Sequence, residues 1–333
     1  MKKLLMFSFF ILLFACQTNE KTNQGSDKMT ETDIIIATYA EAEDQLQHIV
    51  FLVESIREFG GCIAGVPVWV YVPKELLAQN PAGLERLRRT GVEVKTSFMP
   101  ENARWLFYAG KVFASGEAEA EAERRGAVLV WLDDDTIFLN EPSQFALPVN
   151  IGFAYRPVMH NRSGTLYGQP VNPFWGRIYE ILQLDPENQF AMVTPADKQK
   201  IRAYFNAGLL VVRPEHKILR RWSECFRMLY QDSALAEMCR QNSEHRIFLH
   251  QTALVGAVMP VLRPDQMLEL SDAYNYPMFF KRMYGAREEF DSIENIVTLR
   301  YDTYFRNPEP DWSEQLKGDP DKIAWLKERL GKS

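Results

Sequence analysis

Three consecutive carboxylates, Asp133-Asp134-Asp135, follow directly on the apolar run Ala127-Val128-Leu129-Val130-Trp131-Leu132. Like charges at that density repel one another and are costly to take out of water, so they require a cation or a set of hydrogen-bond donors. A hard divalent ion with oxygen ligands is one answer, its remaining positions filled by water and substrate phosphates. Such an ion would neutralise a departing diphosphate as a Lewis acid. A strand-end cap or an acidic turn is the plainer alternative. Other chemistries lack their residues: the chain has no GxxxxGK[ST], GxGxxG or GxSxG segment, which phosphate-cradling loops and serine-hydrolase elbows need.

The elements around the carboxylates decide what they can meet. Residues 33–38, 66–72 and 91–94 read as short β-branched strands, and 127–132 as an apolar one. Apolar positions at helical spacing run from Glu43 to Phe59, and a long helix is expected over 102–125. The AEAEAE stretch in its second half reads as a solvated helix face. Further strands are expected at 151–155, 208–212 and 296–301, and helices at 217–230 and 246–258. Strands apolar on both faces, alternating with helices, imply an α/β fold whose mixed, mostly parallel sheet is covered on both sides. Ligands of such sheets bind outside the carboxyl ends of the strands, where Asp133 to Asp135 would stand. One domain is expected over 33–315, followed by a C-terminal helix or tail over 316–333.

Composition narrows the partners. The 333 residues carry a net charge of −6 with the basic residues dispersed, which argues against a nucleic-acid binder. Of the four cysteines, none is spaced for zinc. Cys225 and Cys239 are either a disulfide or two buried thiols. Aromatic residues between 153 and 179 (Phe153, Tyr155, Tyr167, Phe174, Trp175, Tyr179) are candidates for an acceptor cleft, with core packing as the default.

The segment Trp131-Leu132-Asp133-Asp134-Asp135-Thr136-Ile137-Phe138-Leu139 resembles the DxD region of GT-A (Rossmann-like) glycosyltransferases, family 8 and its relatives in particular. The resemblance implies Asp133 and Asp135 as the DxD pair holding Mn²⁺ or Mg²⁺, with Asp133 and Asp134 also near the donor. Tyr204-Phe205-Asn206-Ala207-Gly208 is similar to the family's F-N-[AS]-G segment, so Asn206 would offer its amide to sugar hydroxyls and Gly208 would admit the ligand close to backbone. His250-Gln251-Thr252-Ala253-Leu254 is similar to the D-Q-D-[AL]-L helix, with Gln251 retained, both carboxylates replaced and His250 a candidate proton-handling group. Ala37, Thr38 and Tyr39 stand where such enzymes contact base and ribose. Lys111, or alternatively Arg104, would be the cation aimed at the donor. The family's late metal-binding histidine segment is absent, leaving Asp302 as the stand-in. These likenesses imply transfer from a nucleotide-diphosphate sugar, a UDP-sugar first, to a glycan or other hydroxyl acceptor.

The N-terminus implies a location. Lys2 and Lys3 precede an apolar run from Leu4 to Ala15, too short for an ordinary membrane span. It ends in Leu13-Phe14-Ala15-Cys16, which resembles the lipobox of bacterial lipoproteins, with residues 1–16 as signal and Cys16 as the acylated residue. Residues 17–32 are polar and read as a flexible tether. Gln17 in place of aspartate favours the outer membrane within the cell envelope, whereas translation from Met29 would give a cytoplasmic form. Nucleotide sugars are cytoplasmic, so three resolutions stand: the Met29 start, an unusual donor, or a surface lipoprotein that binds glycan on a retained fold without transfer.

Overall fold

The structure is a computed structural model that describes residues 34–278, 292–301 and 316–330. Its strands are β1 (Ile34–Tyr39), β2 (Val68–Pro73), β3 (Glu93–Ser97), β4 (Val128–Leu132), β5 (Thr136–Phe138) and β6 (Phe153–Pro157). They continue with β7 (Ala191–Val193), β8 (Lys200–Arg202), β9 (Phe205–Val212), β10 (Met267–Glu269), β11 (Tyr276–Pro277) and β12 (Thr298–Arg300). The helices are α1 (Glu43–Phe59), α2 (Lys74–Gln79), α3 (Pro81–Arg89), α4 (Ala109–Arg125) and α5 (Pro173–Ile181). After them come α6 (Ile218–Gln231), α7 (Ser233–Gln241), α8 (Ser243–Val258) and α9 (Pro320–Leu330).

The main sheet runs in the order β10-β6-β9-β4-β1-β2-β3. β9 alone in that sheet is reversed, pairing antiparallel with both β4 and β6, while the other neighbours pair parallel. This is the mixed, mostly parallel sheet expected from the strand pattern. Successive side chains of a strand point to opposite faces, and β1 divides its residues accordingly. Ile35, Ala37 and Tyr39 pack into one core beneath α4, α6 and α8; Ile34 and Ile36 pack into another beneath α1 and α3. A third cluster joins Ile137 and Leu139 to Leu299, Tyr301, Leu326 and Leu330, so α9 is docked against the small sheet of β11, β12 and β5. Among the described residues no helix is long and apolar enough to cross a membrane.

Two expectations need correction, and one open alternative is decided. The helix expected over 102–125 begins only at Ala109, because Glu101–Ala103 form a 3₁₀ turn and Tyr108, at φ 61°, starts the helix from left-handed backbone. The acidic repeat in that helix is not all solvated. Glu119 is fully buried, and its carboxylate accepts from the backbone N–H groups of Leu219 (3.0 Å) and Arg220 (2.9 Å). It thereby satisfies two orphan donors at the start of α6 from a neighbouring helix, and Arg220 Nε adds an ion pair at 3.1 Å. Finally, Cys225 and Cys239 are unpaired buried thiols, not a disulfide, and burial pushes them up to about 11 and about 12.

Removing the Glu119 carboxylate strands both N–H groups where water does not reach. Glu119→Ala is expected to lower the unfolding free energy by about 2–3 kcal/mol, the cost of buried donors left unmade. Urea unfolding checks this, and an unchanged midpoint would show that the cap does not hold α4 to α6.

Candidate active site

The acidic run sits where the main sheet hands over to the small one. Asp133 N donates to Gly208 O at 2.9 Å, extending the β4–β9 ladder one residue past the end of β4. Gly208 is thereby pressed against the carboxylate. A Cβ there would lie 3.0 Å from each of Asp133 Oδ2, Asn206 Oδ1 and Arg300 Nη1, so a side chain would make those three groups give way by a few tenths of an ångström. β12 pairs antiparallel with β5, setting Arg300 opposite Thr136 and beside Asp135.

Each carboxylate has its own basic partner. Arg300 grips Asp135 with Nε at 3.1 and 3.2 Å from the two oxygens and Nη2 at 2.9 Å from Oδ2, and Nη2 lies 3.3 Å from Asp133 Oδ2. Lys111, in the first turn of α4, donates to Asp133 Oδ1. Asp134 meets His48 Nδ1 of α1 at 3.2 Å. All six side chains line a cleft of about 1260 Å³, whose rim also carries Tyr39 and Tyr108.

Charge sets the protonation states. Burial alone would raise Asp133, but Lys111 and Arg300 outweigh it and hold that carboxyl below the usual range. Asp134 is pushed up, by burial first and by its two acidic neighbours, against the pull of His48. His48 is raised in turn, because the hydrogen bond and charge of Asp134 exceed the cost of its own burial. His250 lies behind this group and is pushed down to about 3 by burial and then by Lys111.

The model of the Rhodobacterales glycosyltransferase domain matches residues 37–260, about two thirds of the chain, from the second half of β1 through α8. The chain belongs to this glycosyltransferase family. No curated protein matches it. Among solved structures it is similar to the galactosyltransferase LgtC in complex with donor and acceptor sugar analogues, at 12% identity and a TM-score of 0.48 over 89% of this chain and 100% of that one. It is also similar to mouse xyloside xylosyltransferase 1 in its apo form, at 12% identity and a TM-score of 0.43 over 81% of this chain and 96% of that one. The family match and the geometry of the cleft, not these two distant likenesses, carry the function.

In this glycosyltransferase the residues expected from sequence divide into two layers. Asp133, Asp134, Asp135, Lys111 and Tyr39 face the cleft. Arg104 is on its rim, already paired with Glu75 and Glu101 at 3.1 and 2.8 Å. Ala37 and Thr38 are fully buried inside β1 and do not line the cleft. Asn206 spends its carbonyl oxygen on Gly208 N (2.8 Å) and Asn275 Nδ2 (3.1 Å), so that oxygen shapes the entry to β9. Gln251 Oε1 accepts from Ala207 N at 3.3 Å, bracing the same turn from α8. His250 Nδ1 lies 2.8 Å from Ile247 O and its ring packs on Tyr108, 4.6 Å between centroids. Its lowered proton affinity favours the neutral ring. The aromatic candidates are core: Phe153, Tyr155, Phe174, Trp175 and Tyr179 are buried, and Tyr167 is outside the cleft. Asp302 and Cys16 lie outside the described residues.

Among the cleft residues that escaped the sequence reading are Arg300, His48 and Tyr108. Arg300 had a signal, a lone cation inside the apolar stretch Ile296 to Tyr301, but no local motif connects it to the aspartates. Tyr108 had none, since its left-handed backbone is invisible to spacing.

His250 yields a stability test. Its ordinary value is 6.5 and its folded value about 3, so above pH 6.5 neither state binds the proton. Below pH 6.5 the unfolded chain takes up a proton that the folded chain refuses, and stability falls as pH falls. Between pH 7 and pH 5 this one group should remove about 2 kcal/mol. Urea titrations at both pH values should show that loss in the parent and a loss smaller by that amount in His250→Gln; equal losses would mean that the imidazole is not held neutral.

Proposed function

We propose that this glycosyltransferase moves a sugar from a nucleoside-diphosphate donor to a hydroxyl acceptor within the cleft beyond β4. The observation that supports the reading is a pair of cations, Lys111 and Arg300, fixed side by side on an acidic strand end at the floor of a cleft that is large enough for a nucleotide sugar. Pre-oriented cations stabilise charge that develops on a leaving diphosphate, because they need not reorganise during the reaction. A guanidinium presents a planar fork suited to phosphate oxygens, and an ammonium is a compact point charge. Tyr39, at the end of β1 on the cleft wall, is the candidate surface for the base, and the Tyr108 ring a candidate face for a sugar.

A divalent ion fits this donor set poorly. It needs carboxylate lone pairs, and here both oxygens of Asp135 accept from Arg300 while those of Asp133 meet Lys111 and Arg300. Asp134 is engaged by His48. Among the described residues no group of three His, Cys, Asp or Glu side chains could hold a metal ion. The expected pairing of Asp133 and Asp135 on Mn²⁺ or Mg²⁺ therefore meets two ion pairs in the same place, and no step is assigned to a metal.

Lipid attachment at Cys16 is proposed as the tether to the envelope membrane, with synthesis from Met29 giving the form that meets cytoplasmic nucleotide sugars. The donor reading is tested by calorimetric titration of the purified protein with UDP, GDP and their common sugars. One equivalent should bind with a dissociation constant of roughly 1 μM to 1 mM, the range usual for enzyme substrates. Lys111→Met should weaken it about tenfold or more, the expected effect of losing a charge-assisted phosphate contact. A folded protein that binds none of these nucleotides would remove the donor reading and leave a domain that binds glycan without transfer.

A further inference from the structure

We infer that the cleft carries out transfer without a divalent cation, Lys111 and Arg300 supplying the positive charge at the leaving diphosphate and Asp133 and Asp135 serving to aim them. The inference rests on the nucleotide-sugar reading above. Three acidic side chains at the strand end meet three basic ones: Asp133 with Lys111, Asp135 with Arg300, and Asp134 with His48. A divalent ion entering this set would have to displace a bidentate guanidinium from a carboxylate that is 6% exposed, and the displaced charge would remain beside the ion. Separating such a partly buried pair is costly.

The surrounding structure holds Arg300 in that place independently of any ligand. β12 is pinned by the antiparallel register Arg300↔Thr136, and Tyr301 N donates to Asp135 O at 3.2 Å, so backbone on both sides of the guanidinium is tied to the acidic segment. Gly208 leaves the space that Nη1 occupies, 3.0 Å from where a Cβ would stand. On the opposite side Lys111 is 5.4 Å from the Tyr108 ring centre, a cation–π contact that fixes the ammonium at the cleft wall. Tyr108 itself is in left-handed backbone (φ 61°), a conformation that costs a bulky residue energy and is kept where the surroundings enforce it. The carboxylates are positioning residues in this arrangement, and the two cations are catalytic.

In the transfer the bond between the anomeric carbon and the terminal diphosphate oxygen breaks, its electron pair staying on that oxygen. The acceptor oxygen forms the new bond to the anomeric carbon, and its proton is released. Donor and acceptor alcohol thus give glycoside, nucleoside diphosphate and one proton, with no redox partner. The fork of Arg300 and the ammonium of Lys111 offset the negative charge that collects on the diphosphate.

The deciding experiment compares the full chain before and after exhaustive EDTA treatment, by calorimetry with UDP and GDP and by release of nucleoside diphosphate from UDP- and GDP-sugars. Affinity and turnover should stay within about twofold, and added Mn²⁺ or Mg²⁺ should change neither. Arg300→Ala should lower turnover about 100-fold, the scale of removing one preorganised charge-stabilising donor, with Arg300→Lys recovering part of it. Loss of binding or turnover on chelation, restored by Mn²⁺ or Mg²⁺, would overturn the inference while leaving the donor reading in place. Unchanged turnover in Arg300→Ala would overturn the part assigned to that residue. Absence of nucleotide binding with and without metal would overturn the donor reading, and this inference with it. The chelation comparison uses the parent protein, so its outcome does not depend on how a variant folds.

Discussion

Three adjacent carboxylates at the end of a buried strand cannot exist there by themselves. Their mutual repulsion and their lost hydration must be offset by charge brought from elsewhere in the chain. Each of the three compensating groups arrives on a different element: Lys111 on α4, His48 on α1 and Arg300 on β12. That requirement explains much of the architecture. β9 must run antiparallel beside β4 so that Gly208 reaches Asp133, and β12 must pair with β5 so that Arg300 reaches Asp135. The small sheet is then fixed by α9 through Leu326 and Leu330. Elements far apart in sequence converge because the acidic run imposes a charge condition that only their side chains meet.

The same logic separates groups that act from groups that support. Asn206 and Gln251 are polar residues in the place where a sugar-binding role was expected, yet their carbonyl oxygens are committed to the backbone of the turn that enters β9. Buried polar atoms need partners, and here the nearest unmet donors are Ala207 N and Gly208 N. Those two bonds brace the turn that places Gly208 beside Asp133. Glu119 does the equivalent for the helical layer: a buried carboxylate that lends two acceptors to the first turn of α6 and so ties α4, the helix that carries Lys111, to the bundle behind it.

Much of this was legible in the sequence. The apolar run before Asp133 is a strand apolar on both faces, and such a strand must be central in a covered sheet; β4 is flanked by β1 and β9. The spacing of Leu46, Ile49, Val53 and Ile56 gives α1 its observed limits, Glu43–Phe59. Local periodicity reports burial and direction, which is why elements were read more faithfully than partners. Arg300 lies 165 residues from Asp135, and nothing in either segment specifies the other. The burial of Ala37 and Thr38 was not legible for a related reason. The end of a strand was recognised, but how many of its residues are closed off by neighbouring layers depends on packing that one sequence window does not contain. Glu119 reads like its solvated neighbours in the AEAEAE repeat because helical phase alone cannot show that α6 begins against it.

The neutral state of His250 closes the electrostatic account of the site. The imidazole is buried behind Lys111, within reach of its field and of those of Asp133 and Arg300. If it were charged, a third cation would compete with Lys111 and Arg300 for Asp133 and Asp135, weakening the hold that aims them. Burial is the larger part of what disfavours its protonation, and the charge of Lys111 adds to it. Asp134 is left to His48, which sits nearer the solvent on α1 and is raised where His250 is lowered. The two histidines shift in opposite directions because Asp134 bonds His48 directly, whereas His250 is fully buried with Lys111 beside it.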